Sequence, residues 1–334
     1  MWWCLGYQPN GCQPLSSTSR RVSDEWSIRL PYPEGATAPY SEPRALHSAE
    51  MAGIVQQFRL AARNARRAGF DGIEIHAGHG YLLDQFLKDG INDRTDAYGG
   101  SIENRCRVVL EVLEAVDAEM GREGRTAIRI SPIIDHLDAT DSDPVALGLH
   151  IVSELNKMKL AYVHMTEPRF NNRGPDGVAD TIRGDCGLFR VAYRGVMMRS
   201  GGYTRESGME AIRGGASDLI SYGRLFISNP DLPLRFAIGA RLNAYDRSTF
   251  YTHAHVKGYI DYPKLSDKEI SDGWLALCRH RGGVEKRSLT RTHPLLVMSL
   301  NPCATLGDNA NNMPFISSPI PSMEAITPMS HSLH

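Results

Sequence analysis

Phe70-Asp71-Gly72-Ile73-Glu74-Ile75-His76-Ala77-Gly78-His79-Gly80-Tyr81-Leu82-Leu83-Asp84-Gln85-Phe86-Leu87 is the stretch whose reading decides the fold of this chain. Gly72 to His76 has the length and composition of a short buried strand. It ends in two histidines three residues apart, His76 and His79, with Tyr81 two residues further on. Three proton-bearing side chains therefore gather where a strand stops and a loop begins. That is where α/β folds, open or closed, place their chemistry.

Outward from this strand the pattern alternates. On its N-terminal side, Met51 to Ala68 carries Met51, Val55, Phe58, Ala62 and Ala65 at spacings of three and four, an amphipathic helix that Gly69 stops. On its C-terminal side a helix is predicted over Arg105–Met120 and a strand over Ala127–Ser131, broken by Pro132. Asp143-Pro144 caps a helix running to Lys157. Strands follow at Ala161–Thr166, Gly195–Ser200 and Asp218–Tyr222. Short helices are expected at Leu188–Tyr193, from Thr204 to Arg213, and after Asn229-Pro230. The order β, α, β, α predicts a parallel sheet with helices outside, and strand spacings of ~30 to 50 residues suit a (β/α)8 barrel. Five strands are clear and Trp2–Leu5 reads as the remnant of a sixth, so the expected fold is a TIM-barrel type that is incomplete, its first two strands missing. The domain is expected over 1–265. Residues 266–334 lose any period and are expected to be an irregular, disordered tail.

The chain has 334 residues, 42% of them hydrophobic and 22% charged, with a net charge of −1. A duplex-binding surface shows as a basic excess, so nucleic acid is not the expected partner. No apolar run approaches the ~20 residues of a membrane span. Six cysteines without a C-x-x-C pair read as reduced thiols, and the expected location is the cytoplasm.

Ordered landmarks run from Trp3 to Leu265. They are Gln8-Pro9-Asn10-Gly11, Ile75-His76 through Asn104-Arg105, Arg129-Ile130-Ser131-Pro132, Glu167-Pro168-Arg169, Gly201-Gly202-Tyr203, Tyr222-Gly223-Arg224-Leu225-Phe226 and Thr249-Phe250-Tyr251. In them the chain resembles the Old Yellow Enzyme family of flavin-dependent ene-reductases, and within it the plant 12-oxophytodienoate reductases. The resemblance implies FMN and NADPH as cofactors and an α,β-unsaturated carbonyl of the oxylipin class as substrate. It implies that His76 and His79 donate to the substrate carbonyl oxygen, as an oxyanion hole does, and that Tyr81 is the proton donor. Arg129 would contact the flavin ring, Gly202, Gly223 and Arg224 the flavin phosphate, and Arg169 and Tyr251, with Trp3, the substrate pocket.

Each residue also has a plainer reading. The histidine pair could be buried and satisfied, or could bind zinc, although no third ligand is evident and no metal is expected. Gly201-Gly202 could be an ordinary turn and Arg224 a solvated arginine. Arg129 could form a structural ion pair, Arg169 could lie on the surface, and Tyr251 and Trp3 could be core packing.

The chain also departs from the family pattern. Cys4 and Tyr7 stand where the family has His and Arg, the loop reads His76-Ala77-Gly78-His79, and Arg199-Ser200 replaces an apolar residue and alanine before Gly-Gly. The alternative expectation is an inactive, truncated barrel that acts only as an interaction protein, as a partner of an intact homologue, or is a non-functional gene product.

Overall fold

A computed structural model describes residues 12–29, 37–121, 123–168, 186–250 and 256–280. The segment before the first long helix forms two small strand pairs. β1 (Leu15–Ser16) lies parallel to β4 (Arg44–Ala45), and β2 (Ile28–Arg29) antiparallel to β3 (Thr37–Ala38). The strand expected at Trp2–Leu5 lies outside the described residues.

The main sheet has five parallel strands in the order β5-β6-β7-β8-β9. These are β5 (Ile73–Ala77), β6 (Thr126–Ile130), β7 (Val163–Thr166), β8 (Met197–Ser200) and β9 (Leu219–Ile220). All five are the strands expected from the sequence, each shortened or shifted by a residue or two. The connecting helices are α1 (Met51–Arg67), α2 (Leu82–Leu87), α3 (Ile102–Met120), α4 (Pro144–Leu155), α5 (Gly187–Ala192), α6 (Arg205–Arg213), α7 (Arg224–Ser228) and α8 (Leu232–Ile238). This is the TIM-barrel type of α/β fold, and among the described residues its sheet does not close.

Register decides which side chains meet. His76 pairs with Arg129, Arg129 with His164, and Thr166 with Ser200. Alternation along each strand then puts Glu74, His76, Arg129, His164, Thr166 and Ser200 on one face. Ile75, Ala77, Ile128, Ile130, Val163, Met165 and Met197 take the other, where they join one apolar core with helices α1, α3 and α4. Burying a Leu, Ile, Val or Met side chain stabilises by about 1.5–3 kcal/mol, so this helix-side face supplies most of the sheet's stability.

Local signals place the helices on that face. Ser101 accepts from the Asn104 amide at 3.3 Å at the start of α3, and Gly121 ends it with φ of 70°. Asp143 accepts from the Ala146 amide at 2.9 Å to cap α4. Arg59, Arg63 and Arg66 of α1 converge on Glu119 of α3 at 3.0, 3.1 and 3.5 Å, tying the outer edges of the two helices.

Two expectations are corrected. The short helix α7 was not anticipated, and α8 begins at Leu232 rather than directly after Asn229-Pro230. The tail is not irregular from 266, because Asp267–His280 forms helix α9. Its start is a reciprocal cap in which the Glu269 amide donates to Ser266 Oγ at 3.3 Å and the Ser266 amide donates to Glu269 Oε2 at 2.8 Å. A Ser-x-x-Glu cap is legible in sequence. Residues 281–334 lie outside the described residues.

Candidate active site

The C-terminal end of β5 delivers His76, and the loop after it delivers His79 and Tyr81. The His76 and His79 ring centroids are 5.2 Å apart, and those of His76 and Tyr81 are 5.5 Å apart. The three side chains therefore form one cluster, each of them part-buried. Burial, and then the nearby Arg129 charge, pulls His76 from the ordinary value of 6.5 down to about 4. The same two causes, in the same order, hold His79 well below 6.5. At neutral pH both rings are uncharged, and each carries one N–H to donate and one lone pair. No group of three or more His, Cys, Asp or Glu able to hold a metal occurs among the described residues.

The loop carrying this cluster is held from below. The His79 amide donates to Ser131 Oγ at 2.8 Å and the Gly80 amide to Asp84 Oδ2 at 2.8 Å. Gln85 Nε2 donates to the Gly80 carbonyl at 2.7 Å and its own Oε1 accepts from Ser16 Oγ at 2.7 Å. Asp84 pairs with Lys88 at 3.2 Å, both buried, and Lys88 also donates to the Ile134 carbonyl. The motif from Asn92 to Arg105 serves the same end. Asn92 Nδ2 donates to the carbonyls of Phe86 at 2.6 Å and Tyr98 at 2.8 Å, and Arg105 pairs with buried Asp141 while donating to the Leu87 carbonyl.

Backbone strain concentrates here. Among the described residues the non-glycine positions with positive φ are His79, Leu137 and Asp138, at 56°, 57° and 61°. All three belong to two loops that touch. A Cβ on Gly80 would come within 2.4 Å of the His136 carbonyl oxygen and 2.8 Å of Leu137 Cβ. Residues with left-handed backbone persist where their surroundings over-determine them. Here Asp138 accepts from the Ser23 amide at 2.6 Å, Ser23 Oγ at 3.0 Å and Trp26 Nε1 at 2.9 Å. Trp26 also meets the His136 ring edge-on at 4.6 Å. None of this clasp was read from the sequence, since its parts lie more than a hundred residues apart.

Arg129 sits on the inner face beside His76 in register. Its Nε donates to Thr166 Oγ1 at 3.1 Å and an Nη donates to Ser200 Oγ at 3.4 Å. Gly202 and Gly223 follow the adjacent strands β8 and β9. Gly202 has φ of +77°, and a Cβ on either glycine would meet nothing within 4 Å. Both backbones thus border open space, as close approach of an anion requires. Arg224 opens α7, with its guanidinium 5.5 Å above the Tyr245 ring. Open glycine backbone, one arginine beside it and a second among the strands fit a group that combines a phosphate with a ring able to take up negative charge. Arg169, Tyr251 and Trp3 lie outside the described residues.

The structure adds residues that the sequence reading passed over. His164 and Glu74 lie on the inner face, 2.9 Å apart between Nδ1 and Oε2. Their signal was the polar beat inside two apolar strands, Ile73-Glu74-Ile75-His76 and Val163-His164-Met165-Thr166. Arg199, a departure from the family pattern, points to the helix side and is 3% exposed. It pairs with buried Glu167, which also accepts from Tyr203 Oη at 3.1 Å. The unusual charge is therefore compensated.

Residues 15–243 match the NADH:flavin oxidoreductase / NADH oxidase family. The chain is 54% identical over 269 residues to 12-oxophytodienoate reductase 7 of Oryza sativa subsp. japonica, covering 78% of this chain and 68% of that protein. It is 48% identical over 262 residues to 12-oxophytodienoate reductase 2 of Arabidopsis thaliana, covering 78% and 67%. Among solved structures, morphinone reductase in complex with tetrahydroNAD superposes with a TM-score of 0.70 at 39% identity, covering 78% of this chain and 69% of that one. An old yellow enzyme homologue from Zymomonas mobilis gives 0.69 at 36%, covering 76% and 69%. The chain thus spans about two-thirds of the length of these four proteins. With the histidine pair, the tyrosine and the inner-face arginine in place, the chain belongs to the NADH:flavin oxidoreductase / NADH oxidase family, the Old Yellow Enzyme family that its motifs resemble.

Proposed function

We propose that the protein is an ene-reductase that binds FMN, takes reducing equivalents from NADPH, and reduces the C=C bond of α,β-unsaturated carbonyls of the 12-oxophytodienoate, oxylipin type. The observation that carries this reading is the cluster of His76, His79 and Tyr81, with both imidazoles neutral. When bound, the flavin supplies the hydride that reaches the β-carbon of the enone. Arg129 would lie against its ring, and Gly202, Gly223 and Arg224 would hold its phosphate. His76 and His79 each offer an N–H to the carbonyl oxygen, where negative charge develops as the β-carbon is reduced. Two such donors in a partly dry site stabilise that charge most in the transition state. The Tyr81 hydroxyl gives its proton to the α-carbon, completing the saturated ketone, and regains one from solvent.

The test is a visible-absorption titration of the purified protein with FMN, followed by NADPH-dependent loss of enone absorbance. Support is a stoichiometric, perturbed flavin band, with turnover that His76→Ala with His79→Ala removes. A folded protein that leaves FMN unbound overturns the reading and leaves the inactive alternative, an interaction protein or a non-functional gene product. Parallel rates with NADH test the choice of nicotinamide. Location in the reducing cytoplasm is part of the same proposal. It draws on the sequence, whose six cysteines include no C-x-x-C pair, and on the thiols of Cys106 and Cys278, and imaging of a fluorescent fusion tests it.

A further inference from the structure

On the inner face of the sheet, His164 is completely buried and uses both ring nitrogens. Nδ1 lies 2.9 Å from Glu74 Oε2, and Nε2 lies 2.9 Å from Ser200 Oγ. The Ser200 hydroxyl is the meeting point of the face. It takes an Arg129 Nη donor at 3.4 Å and lies 3.4 Å from Thr166 Oγ1, which in turn accepts from Arg129 Nε at 3.1 Å. Three strands, β6, β7 and β8, thus converge on one guanidinium, and a fourth, β5, anchors the line through Glu74.

We propose that Glu74, His164 and Ser200 form a positioning relay behind Arg129, which sets the plane of its guanidinium and through it the reduction potential of the bound flavin. The inference rests on the functional reading above, in which Arg129 faces the flavin ring. The direction of every bond follows from the chemistry of the ends. Burial and the Arg129 charge keep His164 neutral, below the ordinary histidine value. Burial alone would raise Glu74, but the hydrogen bond from His164, the Arg129 charge and the Tyr162 hydroxyl bring it below the ordinary carboxylate value, so it stays ionised. A carboxylate only accepts, so Nδ1 must carry the imidazole proton and Nε2 must be the lone pair. The Ser200 proton is then directed at Nε2, which leaves the serine oxygen as acceptor toward Arg129. A hydroxyl that could rotate is locked by its neighbours. The run of donors goes one way, from guanidinium to serine to imidazole to carboxylate, and such chains polarise in series.

An arginine held in one plane stabilises negative charge on a reduced flavin better than one that samples several, because no reorganisation is needed when the charge arrives. Removing the serine hydroxyl should therefore make reduction harder. The experiment uses FMN-loaded protein and measures the midpoint potential of the parent, Ser200→Ala and Ser200→Thr. The expected result is a negative shift in Ser200→Ala of at least about 30 mV, a tenfold change in a two-electron equilibrium, reversed by Ser200→Thr, which restores the hydroxyl. Flavin bound at an unshifted potential in Ser200→Ala overturns the relay and leaves the functional reading standing. Failure of the folded parent to bind flavin overturns both. A second measurement needs no variant and no flavin. In protein carrying nitrogen-15 histidine, NMR should show His164 as the neutral Nδ1–H tautomer. The Nε2–H tautomer, or a charged ring, at neutral pH overturns the relay.

Discussion

The two faces of one sheet follow opposite rules. On the helix side, Ile75, Ile128, Ile130, Val163, Met165 and Met197 are buried with α1, α3 and α4. Their contribution scales with area and has no preferred direction, so many apolar side chains of similar volume would serve. On the inner side, Glu74, His76, Arg129, His164, Thr166 and Ser200 occupy the same strands at alternate positions. These groups resist burial, and Glu74, Arg129, His164, Thr166 and Ser200 persist because partners on other strands of the sheet take up their hydrogen bonds. One face holds the sheet together. The other is tolerated by the sheet and gains a directed set of donors.

Four experiments would break or sharpen that contrast. The largest effect is expected at Tyr81. Tyr81→Phe keeps the ring and removes the acid, so enone turnover should fall by about 10²- to 10⁴-fold, while flavin reduction by NADPH and the urea midpoint stay near the parent's. Unchanged turnover would remove Tyr81 from the chemistry. Next is Arg199, the charge that sits on the apolar side. Arg199→Met should cost about 3–5 kcal/mol in urea unfolding, because buried Glu167 loses its counter-charge. Adding Glu167→Gln should recover part of the loss, and no recovery would mean that the pair does not act as a pair.

The third effect is smaller and local. Asp138→Ala removes the acceptor for Ser23 and Trp26 and should cost about 1–3 kcal/mol. It should also speed amide exchange at His79 and Gly80, whose loop the 136–138 turn abuts. Faster exchange elsewhere without a change at those two amides would separate the clasp from the site.

The smallest effect is a pH dependence. His76 titrates near 6.5 when unfolded and about 4 when folded. Between those values the unfolded chain binds the extra proton. This group therefore contributes stability that is full above about 6.5 and declines as the pH falls toward about 4. The ring resonances of His76 should move with a midpoint near 4. A midpoint near 6.5 would mean that the inner face is wet and that the histidine pair is charged in mild acid.

Much of this was legible in the chain. The five strands of the sheet could be read because buried β segments carry short apolar runs bounded by Gly and Pro, as in Gly72 to His76 and Ala127 to Pro132. Asp143-Pro144 and Thr204 marked helix starts, and both cap as expected. The cap Ser266-x-x-Glu269 was equally readable, but it was obscured by the loss of pattern that follows it. Helix α7 carries no comparable signal. It is five residues long and has no side-chain cap, so only its setting after β9 makes it helical.

The amino-acid sequence by itself determined the order of the five main strands and of the long helices α1, α3 and α4, the motif residues His76, His79 and Tyr81, and the family they resemble. Local spacing and turn chemistry are enough for those. Tertiary structure alone decided which strands are neighbours, and hence that Arg129 meets Thr166 and Ser200, that His164 links Glu74 to Ser200, and that Asp138 catches Trp26. It also decided that His79, with a left-handed backbone, donates its amide to Ser131, and that the next residue, Gly80, abuts a loop 56 residues or more further on. The reason is physical: a hydrogen bond needs a partner within about 3 Å, and only sheet register and loop packing bring residues so far apart in the chain to that distance.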